Sequence, residues 1–564
     1  MLNCTHSLLQ LTQLESKIRG TLCNLQSVRN AMRPIQKLPL EILTMIFALS
    51  ISERKAGYSP RTNDAYKLAS VCRRWREIVI SFAPFWSDIR VFASDHKMSN
   101  IQYTSMCLVR SKGAPITVRM IERPLVDNAH MQRCIDLISD HGPRIRELNL
   151  LVQPSTLSAF TLQVPNLEIL HVTSSGIDRL DPHREVLPIM FRGQLPRLKH
   201  LDLGYFTSWP AGTFNNLTSI TLWDPEEENE KMKMHVFLEL LDGSPMLESL
   251  EMMQHGPISN DDVPPSRTSV LSRLSSLRLR DCHSSLILSH LDLPPSTDIT
   301  LCNVVSFLAG LQGQAIRAAS HMMQICNIFP DDSSRIRSFE GITSLSLFLG
   351  DARFDLEKGL TRIVFANKEG GCVEVAEHNF TDIEGDFGNG KLLQPLLNSI
   401  PQHHIFSSVR ILNVANTAVA EDTELSVHDW KRLLSLPNLN RIAIRFIPIK
   451  TLFLALATIT EGEERYHDEG EPFCPALETL DIAVALKSPE EIEDFTGPGG
   501  LLNLLKWRFE TGYSIQVPNL EMFFERDSKG MSRIPSDIDS RTLAMTRFGV
   551  KNIITADEDP EPSV

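Results

Sequence analysis

The chain has 564 residues, 42% of them hydrophobic and 22% charged, with a formal net charge of −13. That composition excludes a chain disordered through its bulk, and the acidic balance speaks against non-specific nucleic-acid binding, which needs basic surface to displace counterions. The length exceeds what one compact core holds, so it calls for several domains or for a repeat array in which each unit buries its face against its neighbours.

Residues 4–33 carry a heptad rhythm: Leu11, Ile18, Leu25 and Met32 are seven apart, and Leu14, Thr21 and Val28 follow the first three of these by three. Two outcomes fit this seam. One is a short coiled coil that makes a homodimer; the other is a helix folded back on its own chain. Pro34 closes the helix, because the residue before a proline avoids the helical region.

The next block opens with Leu38 and Pro39, the proline suited to a first helical turn. Leu40, Ile42, Leu43, Ile46, Phe47 and Leu49 then cover more of a helix than a single core-facing stripe needs, so this helix is expected to pack on two sides. After a polar insertion at 52–64, Leu68, Val71, Cys72, Trp75, Ile78 and Val79 keep helical spacing, with Arg73, Arg74 and Arg76 expected on the wet side. Pro84 ends the pattern, and Phe85 and Trp86 are available to pack back. A helical unit this small leans on a partner, so its excess apolar face is a candidate docking surface.

Leu38-Pro39-x-Glu41-Ile42-Leu43-x-x-Ile46-Phe47, then Leu68-x-x-Val71-Cys72-x-x-Trp75-x-x-Ile78, then Pro84-x-Trp86 resembles the F-box, in particular the F-box-like proteins abundant in mushroom-forming fungi. The 52–64 insertion departs from many F-boxes by its length. The resemblance implies binding to the small adaptor subunit of a cullin–RING ubiquitin ligase. Carried onto this chain, it puts Leu38, Pro39, Glu41, Ile42, Leu43, Ile46, Phe47, Leu68, Val71, Cys72, Trp75, Ile78, Pro84 and Trp86 at or near that adaptor.

From residue 100 onward a unit of the form apolar-x-x-apolar-x-apolar recurs. Instances begin at Ile145, Leu167, Leu198, Leu217, Leu247, Leu274, Ile342, Val409, Leu439 and Leu477. The phrases Asn166-Leu167-Glu168, Asn438-Leu439-Asn440 and Asn519-Leu520-Glu521 each follow a Val-Pro or Leu-Pro. The second and third apolar positions share a strand face, so Leu148, Leu170, Leu201, Leu250, Leu277, Leu345, Leu412 and Leu480 are expected inward. This is similar to a leucine-rich repeat, with the departure that only Cys282 fits the Asn or Cys usual three residues after the third apolar position. The alternative is unrelated α/β packing that shares a local pattern. A solenoid would display Asn149, His171, Asp202 and Thr221 as exposed positions on its concave sheet, where a protein target would bind.

Residues 360–375 read as two strands around Asn367-Lys368-Glu369-Gly370-Gly371, a hairpin between repeats. The acidic segments 224–230 and 461–471 read as exposed loops and the tail DEDPEPSV as disordered. The 10 cysteines stand singly without a CxxC pair, which gives no support to a zinc ribbon and suits reduced thiols in the cytoplasm or nucleus. Gly385–Lys391 mimics a phosphate loop, but Leu392 stands where Ser or Thr would bind magnesium. His403-His404 lacks partners at metal spacing. No secretory signal and no membrane-spanning run are expected.

The expected fold class is therefore α/β: an N-terminal helix (1–33), a small all-α F-box unit (34–92), and an irregular leucine-rich-repeat-like solenoid with a parallel sheet on its concave face (93–350 and 401–540). A hairpin-containing insertion interrupts it at 351–400, and a C-terminal segment with an acidic tail follows at 541–564. The expected function is a non-enzymatic substrate receptor of an SCF-type ubiquitin ligase, without cofactor or metal, nucleic acid or membrane. The alternative is a ubiquitin-independent repeat scaffold for protein–protein interaction.

Overall fold

A computed structural model of the chain describes residues 2–52, 64–93, 99–122, 128–174, 186–223, 232–253, 256–257, 263–280, 284–304, 335–351, 360–378, 397, 404–416, 425–457, 473–486, 491–492, 495, 500–524 and 543–556. Most of the 52–64 insertion, the acidic segments 224–230 and 461–471, the phosphate-loop mimic 385–391, His403 and the tail 557–564 lie outside the described residues. Two compact units divide the chain, Met1–Thr213 and Phe214–Val564.

The first unit begins with α1 (Leu2–Ala31), which ends before Pro34 as the proline rule requires. A tight turn at Pro34–Lys37 leads to α2 (Leu40–Ser52), α3 (Asp64–Val71) and α4 (Arg73–Ser81). The spacing from Leu68 to Val79 does not continue as one helix. It breaks at Cys72, which is extended (φ −157°, ψ 170°) and whose sulfur accepts from the Trp75 amide, capping α4.

A turn at Ala83–Trp86 runs directly into β1 (Asp88–Ala93). Four more strands follow: β2 (Ile116–Glu122), β3 (Ile145–Val152), β4 (Ile169–Ser174) and β5 (His200–Gly204). They pair in chain order and all in parallel, so that Ile89, Val118, Leu148, Leu170 and Leu201 form one row. Parallel neighbours need crossovers. Among the described residues three of these contain α-helices, α5 (Ser99–Arg110), α6 (Asn128–Ser139) and the single turn α7 (Pro154–Leu157), which bury Cys107, Leu108, Met131, Cys134, Ile135 and Leu157.

The second unit repeats this arrangement on a longer sheet. Its strands are β6 (Ser219–Trp223), β7 (Ser249–Met253), β8 (Ser269–Val270), β9 (Ser276–Arg280), β10 (Leu291–Asp292) and β11 (Asp298–Val304). Then come β12 (Ile342–Asp351), β13 (Leu360–Asn367), β14 (Cys372–His378), β15 (Ile411–Asn416), β16 (Arg441–Arg445), β17 (Thr479–Leu486), β18 (Val517–Phe524) and β19 (Val550–Ala556). β8 and β10 pair only with each other. The rest run β6-β7-β9-β11-β14-β13-β12-β15-β16-β17-β18-β19, parallel except for β13, which is antiparallel to both neighbours.

Register carries one buried row through ten of these strands: Ile220, Leu250, Leu277, Ile299, Val373, Phe365, Leu345, Leu412, Ile442 and Leu480. All ten recurring segments read from the sequence fall on strands, with their second and third apolar positions buried. The expected hairpin is β13–β14, and it lies within the sheet between β11 and β12. Asn367 holds its turn: Oδ1 accepts from the amides of Glu369 (2.9 Å) and Gly371 (3.0 Å), and Nδ2 donates to the Pro295 carbonyl (2.8 Å). A Cβ on Gly371 would stand 2.1 Å from that same carbonyl oxygen, so the close approach requires glycine.

Candidate functional site

α2 has two apolar faces. Leu43 and Phe47, four residues apart, are buried, and Phe47 packs on Trp75 with ring centroids 4.6 Å apart. Ile42, Met45, Ile46 and Leu49 follow the i, i+3, i+4, i+7 spacing that makes one stripe, and they are 43, 62, 40 and 62% exposed. The sequence expectation of a helix with apolar residues beyond one core therefore resolves into a core pair and a solvent-facing quartet. Leu40, in the first turn, is also exposed.

The surrounding residues fix this helix. The Leu43 amide donates to the Pro39 carbonyl at 3.1 Å, so Pro39 starts the helix while lacking a donor itself. Arg74, expected on the wet side, is half-buried and donates to the main-chain carbonyls of Gln36 and, at 2.8 Å, Leu38. Gln36 in turn donates to the Cys72 sulfur at 3.3 Å. Arg73 and Arg76 are exposed as expected, and Arg76 Nε donates to the Ala69 carbonyl at 2.9 Å across the α3–α4 break.

Trp86 closes the opposite end. It is fully buried, donates from Nε1 to the Val79 carbonyl at 2.7 Å, meets Tyr66 edge-on at 5.9 Å, and lies 4.4 Å beneath the guanidinium carbon of Arg110 on α5. The residues expected at the adaptor thus separate into three groups. Leu43 and Phe47 on α2, Ile78 on α4 and Trp86 in the Ala83–Trp86 turn are core. Leu38, Leu68, Cys72 and Trp75 are half-buried, and Pro39, Glu41, Ile42, Ile46, Val71 and Pro84 are exposed. Met45, which the motif spacing does not include, belongs to the exposed stripe; its signal was the i+3 step from Ile42.

A second candidate surface is the polar face of each sheet. Asn149, His171 and Asp202 align across β3, β4 and β5 of the first unit. Thr221 occupies the equivalent place on β6 of the second. All four are half-buried, not exposed as expected. Adjacent strands sit about 4.8 Å apart, so neighbouring side chains cover one another. His171 Nδ1 lies 3.0 Å from Asp202 Oδ2, Asn149 donates to Glu147 at 2.9 Å, and Arg119 bridges Asp88 (3.5 Å) and Glu147 (3.6 Å). In the second unit Glu251 pairs with Arg280 at 3.3 Å and Arg441 with Asp481 at 2.7 Å. Among the described residues no His, Cys, Asp and Glu cluster is arranged to hold a metal ion, and no helix is long and apolar enough to cross a membrane.

Residues 35–91 match the family model described as F-box-like. The match begins inside the Pro34–Lys37 turn and takes in α2, α3, α4 and most of β1. No curated protein matches the chain.

Proposed function

We propose that this chain is a non-catalytic substrate receptor of an SCF-type cullin–RING ubiquitin ligase. The segment 34–92 docks the ligase's small adaptor subunit, and the polar faces of the parallel sheets, in a leucine-rich-repeat-like solenoid, hold a protein target. The observation that carries this reading is the Ile42–Met45–Ile46–Leu49 stripe, left in solvent on a helix inside the F-box-like segment. A helix that buries one apolar face and presents a second one offers the amphipathic ridge that fits a partner's groove. Leu40, in the first turn of the same helix, and Val71, at the end of α3, are exposed as well. Such a receptor works by raising the effective concentration of its target beside the charged enzyme, which needs no reactive group of its own. The target face is proposed around Asn149, His171 and Asp202 in the first unit and around Thr221 in the second.

The test is binding of the full chain to purified adaptor by calorimetry. Met45→Asp with Leu49→Asp alters the exposed stripe without touching the Leu43–Phe47 core, and should weaken binding at least about 100-fold while thermal unfolding is unchanged. Wild-type chain that folds and does not bind the adaptor would instead support a ubiquitin-independent scaffold.

A further inference from the structure

α1 presents a second apolar seam, separate from the α2 stripe. Leu11, Leu14, Ile18, Leu25, Val28 and Met32 are each more than half exposed. Between residues 11 and 33 every side chain is exposed except that of Asn30, which is half-buried, so among the described residues nothing covers the seam. Apart from Leu22, no other large apolar side chain lies on this stretch. The stripe is two positions per heptad wide. That is the width of a coiled-coil seam, narrower than the broad apolar face with which a helix lies on a membrane.

We infer that α1 pairs with α1 of a second copy of this chain, and that the two helices run antiparallel. The argument for a second copy is self-complementarity, and the argument for direction is what flanks the seam. With Leu11 and Leu14 as the two core positions of the first heptad, the residues after the second core position are Glu15, Leu22 and Arg29, and those before the next first position are Lys17, Asn24 and Ala31. In a parallel, in-register pair, opposite flanks meet five residues apart. Lys17 then lies beside Leu22 of the other copy, Asn24 beside Arg29, and Thr21 faces Thr21 in the core. Leu22 meets a cation and Glu15 gains no opposite charge.

In an antiparallel pair like flanks meet. With Leu22 beside Leu22 on the two-fold axis, Glu15 of each copy stands beside Arg29 of the other, giving two ion pairs from one alignment. The same alignment stacks Leu14 on Met32, Ile18 on Val28 and Thr21 on Leu25. The one polar core residue therefore meets leucine and not itself, and the single large apolar residue off the seam finds a partner. It also sets residue 33 of one copy opposite residue 13 of the other. At 1.5 Å per residue, the two F-box-like segments then start about 30 Å apart along the axis.

Light scattering on the full chain at about 20 µM should give twice the chain mass, and Ile18→Asp with Leu25→Asp should give a single chain whose remaining structure melts as before. Direction is read from disulfides mapped by mass spectrometry. Differently tagged Thr21→Cys and Leu25→Cys chains, mixed and oxidised, should cross-link to each other. A wild type of single-chain mass, or a dimer that survives the double aspartate variant, would overturn the pairing. A disulfide between two Thr21→Cys chains would overturn the antiparallel direction.

Discussion

The guanidinium of Arg74 donates a 2.8 Å hydrogen bond to the main-chain carbonyl of Leu38, thirty-six positions earlier in the chain, and a second to the carbonyl of Gln36. The planar fork thereby ties the turn that precedes α2 onto α4. Arg74→Met leaves two part-buried carbonyls without donors, at about 1–3 kcal/mol. Arg74→Lys restores the charge but not the fork, and should recover only part of it. Hydrogen exchange followed by mass spectrometry should show residues 34–52 losing protection while the strands of the first unit keep theirs.

Leu412 and Asn413 are neighbours on β15 with opposite duties. Leu412 is fully buried between Leu345 and Ile442 in the continuous row, whereas Asn413 faces the other way and donates to Ser346 at 2.9 Å. Leu412→Ala should cost about 2–5 kcal/mol and Asn413→Ala less than about 1, measured by denaturant unfolding of the full chain. Equal costs would mean that the row is not what holds these strands together.

The repeat strands were legible because their signal is local: three apolar residues at fixed spacing. Two further strands obey the same template. Val517, Leu520 and Met522 lie in β18, and Trp86, Ile89 and Val91 lead into and form β1; all six are buried. Trp86 also closes the F-box pattern, so one residue serves both structures. β2 lacks the leading apolar position, where Pro115 stands, and β11 has Ser296 there. The α3–α4 break was invisible because helical spacing resumes in phase after Cys72. Arg74 turns inward against its helical periodicity because its acceptors belong to a turn distant in sequence, whereas periodicity reports only near neighbours. In α2 the motif marked the helix correctly but could not divide it, since Leu43 and Ile46 are equally apolar and only the positions of Trp75 and its neighbours decide which face is core.

Four thiols are held protonated by burial. Desolvation raises Cys107, carries Cys134 to about 11, and takes Cys474 to about 11 against the opposing charge of Arg508. Cys372 reaches about 12, from desolvation first and then from Asp298, whose carboxylate lies 3.2 Å from its sulfur. An unfolded thiol loses its proton near pH 9 while these keep theirs, so their contribution is complete below pH 9 and is lost as pH rises towards 11–12. The melting temperature should therefore be level with respect to these groups up to about pH 8 and fall between pH 9 and 11. Cys134→Val, which removes one such group, should make that fall shallower. A thiol reagent at pH 8 should modify exposed Cys23 well before buried Cys107 and Cys134.

The recurring Pro-Asn-Leu phrase has a structural role that differs by position. Asn166 donates from Nδ2 to the Pro143 carbonyl at 2.8 Å, and Asn438 donates likewise to the Ser407 carbonyl at 2.6 Å. Each stitches its turn to the turn that leads into the previous strand, Ile145–Val152 or Ile411–Asn416. Asn166 also accepts from Arg197 at 2.8 Å, which carries the stitch one strand further. Asn519 sits inside β18 and donates sideways to Asp481 at 3.1 Å, so the same phrase there does a different job. Asn438 and Asn519 are exposed and Asn166 is half-buried, and all three bonds are open to solvent, so water can replace each in part, which sets the expected loss at the low end of the hydrogen-bond range. Asn166→Asp and Asn438→Asp keep the shape and remove the donor; each should cost about 0.5 kcal/mol and raise hydrogen exchange at the first residues of the strand that follows. Asn519→Asp removes a donor and adds a carboxylate beside Asp481, so its cost should fall as salt screens the repulsion; the cost at 438 should barely move, and the cost at 166, where the new carboxylate gains Arg197 as an ion-pair partner, should rise with salt. A marked salt dependence at 438, where no charged side chain is bonded to the amide, would mean that the turn stitch is electrostatic and not a carbonyl hydrogen bond.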